Sequence, residues 1–336
     1  MSGGRNLIIP PGHKAPDFTL LNHLGQRVRF YDLKGPKAVY FFPTAFSFYC
    51  GNKIPGMDAL APDMRRIGVR HFLAISRESI YANRNFSEAL GLEHYSLYSD
   101  LDNRVAREWG TFIPRGSQRV NKRAFFILDA DNIVRFSHDI TLKPAEFDFT
   151  RMLMDLRQIL SGPPPEAGDW DGPVEDIEEG GFHETPRIGE RAPDFQVMDF
   201  KMNPVELSDY RGRKVVLVFY RYDFCPSCNQ FLFDLAGKRE EFTRRAAVVL
   251  AMNRDNPYTH KAWAEEYGFI GAHLLSDMNS AVVKRWGLYV GGPERAHRKG
   301  VFIIDEEGWL VWKKVFPRLD TMIPAQEVLD ALDSLD

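Results

Sequence analysis

The strongest constraint on this chain is that it repeats itself. GHKAPDFTL, starting at Gly12, returns as GERAPDFQV from Gly189, with five of nine positions identical at an offset of 177. LYSDLDNRVAREWG (97–110) returns at the same offset as LLSDMNSAVVKRWG (274–287), where Ser99, Asp100, Trp109 and Gly110 answer Ser276, Asp277, Trp286 and Gly287. FFILD (125–129) returns as VFIID (301–305) at an offset of 176. Segments that recur in one order at nearly one spacing mark two copies of one domain. The length, 336 residues, fits two domains of ordinary size.

The copies are placed at residues 10–161 and 188–336. The stretch between them, 162–187, reads GPPPEAGDWDGPVEDIEEGGFHETPR. It is rich in Pro, Gly and acid, and too poor in aliphatic side chains to offset its own ordering entropy. It is expected to be a semi-extended linker. Trp170, Ile177 and Phe182 are its anchors if it packs across one domain instead.

Each copy has one rhythm. A short apolar strand, KAVYFFP (37–43) or VVLVFY (215–220), precedes a cysteine-bearing turn and a helical segment. A second strand follows, HFLAIS (71–76) or AVVLAM (247–252), and then a helical stretch leading to Trp-Gly. A third strand, AFFILD (124–129) or VFIID, is joined by a tight turn to a fourth, IVRFSH (133–138) or WLVWKKV (309–315). A final helix ends near Leu160 in one copy and Leu335 in the other. Aromatic and β-branched residues in such short runs favour strands. The order predicts an α/β fold in each copy, a mixed sheet with helices on both faces.

Composition removes several classes of function. With 43 basic and 46 acidic residues the net charge is -3, without the basic excess of a nucleic-acid-binding surface. No apolar run reaches membrane-spanning length, and MSGGRNLIIPPG is not expected to be a secretory leader. Three cysteines cannot build a disulfide framework, and their odd number favours a reducing compartment, the cytoplasm. Nine histidines lack metal-binding spacing, and no glycine-rich nucleotide loop precedes a helix. No cofactor or metal is expected. Trp109 and Trp286 read as core residues at helix ends, and GPERAHRKG (292–300) as a solvated loop.

The chemistry lies with sulfur. Cys50 follows the first strand in FFPTAFSFYC. At a strand-to-helix turn, a thiol faces unpaired N–H groups and the positive end of the helix, both of which favour the thiolate. Ser47 stands three residues earlier, able to donate to the sulfur or to a bound oxygen. Arg123, at the head of the third strand, would lower the pKa further. A buried, inert cysteine is the bland alternative.

Pro43-x-x-x-Ser47-x-x-Cys50 resembles the peroxiredoxin signature Pro-x-x-x-Thr/Ser-x-x-Cys. The opening GHKAPDFTL and the segment from Arg123 to Asp129 are similar to that family in the same order. The resemblance implies a thioredoxin-like fold for both copies. It makes Cys50 the peroxidatic cysteine, Pro43 a shield, Ser47 a ligand of the peroxide oxygen, and Arg123 the cation holding thiolate and peroxide. The Cys50 thiolate would attack a small peroxide and become a sulfenic acid, without metal or haem. Two departures stand out. Gly51-Asn52-Lys53 replaces the family's usual Pro-Thr-Glu, and Pro55 and Pro62 are expected to shorten or kink the helix carrying Cys50.

The second copy reads FYRYDFCPSCNQ (219–230). CPSC after a strand resembles a thioredoxin-fold redox pair, Cys225 and Cys228; zinc and an inert pair are the alternatives. Tyr220 and Arg221 stand where the family has its shielding proline, and Lys299 stands at the Arg123 position. The repeat offset slips by one residue nearby, leaving both Cys225 and Cys228 as candidates for the position of Cys50.

The expected activity is a thiol peroxidase acting on hydrogen peroxide or organic hydroperoxides. The Cys50 sulfenic acid would be resolved by Cys225/Cys228 or an external thiol, and a thioredoxin-like or low-molecular-weight thiol would be the reductant. A disulfide oxidoreductase using only Cys225 and Cys228, and a non-catalytic scaffold, are the other readings. The resemblance also implies a homodimer, or an intrachain pseudo-dimer of the two copies. Neither nucleic acid nor membrane is expected as a partner.

Overall fold

The structure, a computed structural model, describes residues 8–114, 120–141, 149–168, 170, 172–173, 184–290, 297–316 and 323–335. Contacts divide the chain into two units, Met1–Ile177 and Glu178–Asp336.

In the first unit β1 (Thr19–Asn22) and β2 (Arg27–Arg29) form a hairpin. Then come β3 (Lys37–Phe41), α1 (Phe48–Ile67), β4 (His71–Ser76), α2 (Ile80–Leu90), β5 (Ser96–Ser99) and α3 (Arg104–Glu108). β6 (Phe112–Ile113) pairs with β7 (Val120–Asn121), and β8 (Ala124–Leu128) with β9 (Val134–Asp139), before α4 (Phe149–Ser161). The main sheet runs β2-β1-β5-β4-β3-β8-β9, with β3 parallel to β4 and antiparallel to β8. β3 is buried along its whole length because both faces of the sheet are covered. Its alternate side chains divide between two cores. Ala38 and Tyr40 join Cys50 and the buried face of α1, whereas Val39 and Phe41 join Trp109.

The second unit repeats the plan with β10 (Gln196–Asp199), β11 (Pro204–Glu206), β12 (Lys214–Phe219), α5 (Pro226–Gly237), α6 (Arg239–Arg244), β13 (Ala247–Asn253) and α7 (Pro257–Tyr267). It closes with β14 (His273–Ser276), α8 (Ala281–Arg285), β15 (Gly300–Ile304), β16 (Leu310–Val315) and α9 (Ala325–Asp333). The strand order is the same, β11-β10-β14-β13-β12-β15-β16. The repeated Trp-Gly is core and cap in both. Trp109 and Trp286 have no exposed surface, and Gly110 (φ 68°) and Gly287 (φ 67°) take the left-handed turn that a side chain resists.

Four expectations need correction. Among the described residues seven strands, not four, make each main sheet. The extra ones, such as β1, β2 and β5, are three or four residues long with exposed or half-buried positions, so they lack an apolar run. α1 is neither broken nor shortened: it continues through Pro55 and Pro62 for 20 residues. Cys50, Ile54, Met57, Ala61 and Met64 recur at helical spacing into the core, and this packing outweighs a cost of about 3 kcal/mol per interior proline. The N-terminal part of the expected linker lies on the first unit. Arg135 Nη2 donates to the carbonyls of Gly162 (2.6 Å) and Pro163 (3.0 Å), and Trp170 packs against the core around Trp109. Ile177 and Phe182 lie outside the described residues. Lastly, of GPERAHRKG, whose residues 292–296 are also outside them, His297 and Lys299 are buried rather than solvated. Among the described residues no helix is long and apolar enough to cross a membrane.

Candidate functional site

β3 stops at Phe41, and buried Pro43 opens the turn that leads to Ser47, the N-cap of α1. Within the turn Phe46 holds φ 57°, and Phe224 holds the same value ahead of α5. A left-handed bulky residue costs of order 1–3 kcal/mol, so its recurrence marks a turn imposed by the surrounding fold. The turn is also tied from the side. The Ala45 N–H donates to Glu78 Oε1 (3.3 Å), and the Asp223 N–H to Asp255 Oδ2 (2.7 Å).

This geometry settles the slip in the repeat. Cys50 is the third residue of α1 and Cys228 the third of α5, while Ser47 and Cys225 are the N-caps. Phe41 faces Ala124 across the sheet and Phe219 faces Gly300, so Arg123 and Lys299 enter at matching points. Cys228 therefore answers Cys50, and Cys225 replaces the hydroxyl of Ser47.

In the first unit Cys50, Ser47 and Arg123 meet. Cys50 has no exposed surface, and the Ser47 hydroxyl, the Arg123 guanidinium and the Thr44 backbone each act on its sulfur in the direction that favours the thiolate. Ser47 makes no side-chain cap to the helix; its hydroxyl donates to the Thr44 carbonyl at 3.1 Å. The guanidinium lies over the Tyr49 ring, 4.3 Å from its centroid. The expected acidification does not win. Burial pushes the Cys50 thiol above its ordinary value of 9.0, and Ser47, then Arg123, pull it only part of the way back. The cause is the packing around the sulfur, which includes Tyr40, Phe42 and Phe125.

In the second unit the two thiols differ. Cys225 keeps 7% of its surface exposed and Cys228 none. Both are free thiols. The Cys225 thiol is held below its ordinary range, chiefly by hydrogen bonding from Cys228, with Ser227 and Lys299 assisting. The same interaction, with burial, pushes Cys228 up. Lys299 Nζ donates to Ser227 Oγ (3.3 Å), which lies 3.6 Å from Cys225 Sγ. Among the described residues no group of three or more His, Cys, Asp or Glu side chains is placed to hold a metal ion.

Sequence reasoning missed Tyr49, the two turn-tying acids, and a buried group around Asp223. Glu78 and Asp255 had a signal, an acid at the repeat offset just past the second strand. Tyr49 and Asp223 had none, because Ser227 and Ala45 hold those places in the other copy.

Comparison with known proteins agrees with the repeat. The AhpC/TSA family matches residues 11–137 and again 188–313. Peroxiredoxin-2 of Mus musculus is 34% identical over 133 residues, 37% of this chain and 67% of that relative. The chloroplastic 2-Cys peroxiredoxin BAS1 of Spinacia oleracea is 33% identical over 135 residues, 37% of this chain and 51% of the relative. Among solved structures, peroxidoxin BcpB from Mycobacterium tuberculosis aligns with a TM-score of 0.40 at 25% identity, over 46% of this chain and 99% of its own.

Two thioredoxin-like domains, each with a cysteine in the first turn of the helix after its central strand, define an enzyme of the peroxiredoxin class, a thiol peroxidase. The chain belongs to the AhpC/TSA family and carries the family's domain twice.

Proposed function

We propose that Cys50 is the peroxide-reactive residue and that the CPSC pair returns it to the thiol. The observation that carries this reading is the convergence of a hydroxyl and a guanidinium on one sulfur, within the Pro43/Ser47/Cys50 motif. The thiolate of Cys50 attacks the terminal oxygen of hydrogen peroxide or an organic hydroperoxide. The O–O bond breaks, water or an alcohol leaves with a proton, and Cys50 becomes a sulfenic acid. Arg123 and Ser47 are fixed donors for the charge moving along the S–O–O line, and Pro43 shields the pocket.

The Cys225 thiolate then attacks the sulfenic sulfur. Water leaves and a mixed disulfide forms. The Cys228 thiolate attacks Cys225 in turn, releasing the Cys50 thiolate and closing Cys225–Cys228. An external thioredoxin-like or low-molecular-weight thiol reduces that bond. The cytoplasm, a reducing compartment, suits such a cycle. The test is one equivalent of peroxide followed by disulfide mapping by mass spectrometry. Cys225–Cys228 is expected in the wild type and absent after Cys50→Ser. A Cys50→Ser protein that consumes peroxide as fast as wild type overturns the assignment.

One observation favours a second reading, in which only Cys225 and Cys228 work as a thiol–disulfide oxidoreductase: the thiol held low is Cys225, whereas Cys50 is pushed up. That reading requires reduction of a model disulfide to survive Cys50→Ser and to vanish with Cys225→Ser.

A further inference from the structure

The first copy fills a place that the second leaves open. In the first unit Phe72 and Tyr95 are buried with their ring centroids 5.4 Å apart, and the Arg65 guanidinium lies over the Phe72 ring, 5.3 Å from its centroid. Phe72 precedes Leu73 and Tyr95 precedes Ser96, and Leu73 is paired with Ser96 between β4 and β5. In the second unit the same pairing joins Leu250 of β13 to His273 of β14, so Val249 and Ala272 stand where the two rings stood. Two rings have become an isopropyl and a methyl group. Removing so much side chain leaves a void unless the neighbours collapse into it. Here a cleft of about 500 Å³ remains, lined by Val249 and Ala272 together with Phe242 and Phe269.

The walls of the cleft are fixed. In the first unit the Asp58 carboxylate accepts the N–H groups of Glu93 (3.0 Å), His94 (2.9 Å) and Tyr95 (2.7 Å). Ala236 takes the place of Asp58, since it follows Cys228 by the same eight residues that separate Asp58 from Cys50. With that carboxylate gone, the loop before β14 runs directly against α5. A β-carbon on Gly271 would lie 2.2 Å from the Ala236 β-carbon, so glycine is required there. Phe269 packs on Trp263, with ring centroids 4.7 Å apart. Small-molecule sites are usually preformed and mostly apolar in this way, with a few polar groups that orient the ligand.

The polar groups are unevenly charged. Among the described residues that line the cleft, Lys201, Arg239 and His273 accompany one carboxylate, Asp199. Asp199 is committed to its own turn. Its Oδ1 accepts the Lys201 and Asn203 N–H groups, each at 2.8 Å, and its Oδ2 accepts Asn203 Nδ2 at 3.3 Å. Burial holds the His273 imidazole below its ordinary value of 6.5, so it is neutral at pH 7. Two cations and one carboxylate leave one positive charge to be balanced.

We propose that this cleft binds a small aromatic monoanion, an aryl carboxylate, whose rings take the place of Phe72 and Tyr95 and whose carboxylate lies against Lys201 and Arg239. The first copy shows the same chemistry satisfied from within, aromatic rings beneath a guanidinium. None of the three cysteines lines the cleft. It lies where β13 and β14 begin, whereas the CPSC turn follows the end of β12, which runs parallel to β13. The ligand is therefore held away from the thiol chemistry, and the site stands whichever reading of the cysteines holds.

The test is isothermal titration calorimetry of the full chain with 2-naphthoate at low ionic strength, beside the neutral 2-naphthamide and the cationic 2-naphthylmethylammonium. Saturable binding at one site per chain is expected for 2-naphthoate, with both analogues weaker by about tenfold or more, because burial of the rings is common to all three and charge is not. Lys201→Gln combined with Arg239→Gln is expected to weaken 2-naphthoate by about tenfold at low salt, and by less at high salt, where exposed charges are screened. Val249→Phe combined with Ala272→Tyr returns the rings of the first copy and is expected to abolish binding. Ala272→Tyr alone is expected to weaken it by about tenfold or more, since a filled cleft admits no second ring. Lack of saturable binding to the wild type overturns the site, and so does equal affinity for the three probes. Wild-type affinity in the ring-returning variant overturns it as well. If that variant does not fold, unchanged affinity in either Ala272→Tyr or the charge variant overturns the proposal by itself.

Discussion

Arg123 acts on Tyr49 and Cys50 together: its guanidinium lies 4.3 Å from the centroid of the Tyr49 ring, and its charge favours the thiolate of the neighbouring Cys50. A planar, delocalised cation can stack and donate at once, whereas an ammonium cannot do both with the same geometry. Arg123→Lys is therefore expected to lower the rate of peroxide reduction by about 10–100-fold, the range for losing one fixed donor to developing charge, with little change in thermal stability. Stopped-flow peroxide consumption with a melting curve on the same sample checks it. A lysine variant as fast as wild type removes the guanidinium from the chemistry.

The pH response of Cys50 follows from burial. Its thiol is pushed above the ordinary value, so the reactive thiolate increases as pH rises through an alkaline midpoint. Pseudo-first-order alkylation of Cys50, read by peptide mass spectrometry across pH, is expected to have its midpoint above that of a free thiol measured alongside. Ser47→Ala removes the donor with the largest opposing effect and moves the midpoint further up. A midpoint at or below that of a free thiol contradicts the packing around the sulfur.

For the CPSC pair the order reverses. Cys225, partly exposed and held low, should alkylate first in weakly acidic buffer, with Cys228 lagging by about tenfold or more because thiolate population sets the rate. Lys299→Met removes a cation acting on both thiols and slows the Cys225 reaction. Equal labelling of the two cysteines at every pH ends the assignment of Cys225 as the attacking thiol.

The parts legible in the sequence were those written as runs or repeats. KAVYFFP and HFLAIS announced β3 and β4 because buried central strands must be apolar throughout, and the offset of 177 announced the second copy. The motif brought Ser47 and Cys50 together, and Arg123 came from the head of the third strand. What escaped depends on three-dimensional packing. Burial reversed the direction expected for Cys50, since nothing in FFPTAFSFYC says that the cysteine is buried in one cluster with Tyr40, Phe42 and Phe125. Pro55 and Pro62 looked like breaks because propensity is local, and the core holding α1 is not. Which CPSC cysteine answers Cys50 was decided by helix position, which a slipping offset cannot supply.

The repeated Ser-Asp pair offers a last test, on stability. Asp100 accepts the Val105 (3.2 Å) and Ala106 (2.8 Å) N–H groups, and Asp277 accepts those of Val282 (3.2 Å) and Val283 (2.8 Å). Both carboxyls are fully or almost fully buried, and burial pushes both up, Asp277 to about 6. A carboxyl whose folded value exceeds its unfolded one binds more protons in the folded state. Its stabilising contribution is therefore complete below an unfolded value of about 4 and is lost as pH rises through the folded value. For Asp277 the change is about 2–3 kcal/mol across that window. Asp277→Asn keeps one acceptor oxygen and cannot ionise. Urea unfolding of wild type and variant is expected to show the variant gaining relative stability from about pH 4 to about pH 7, with the difference level above that. A difference that does not change with pH means that Asp277 is ionised at no cost, and that its two N–H partners and the nearby Arg254 charge fully compensate its burial.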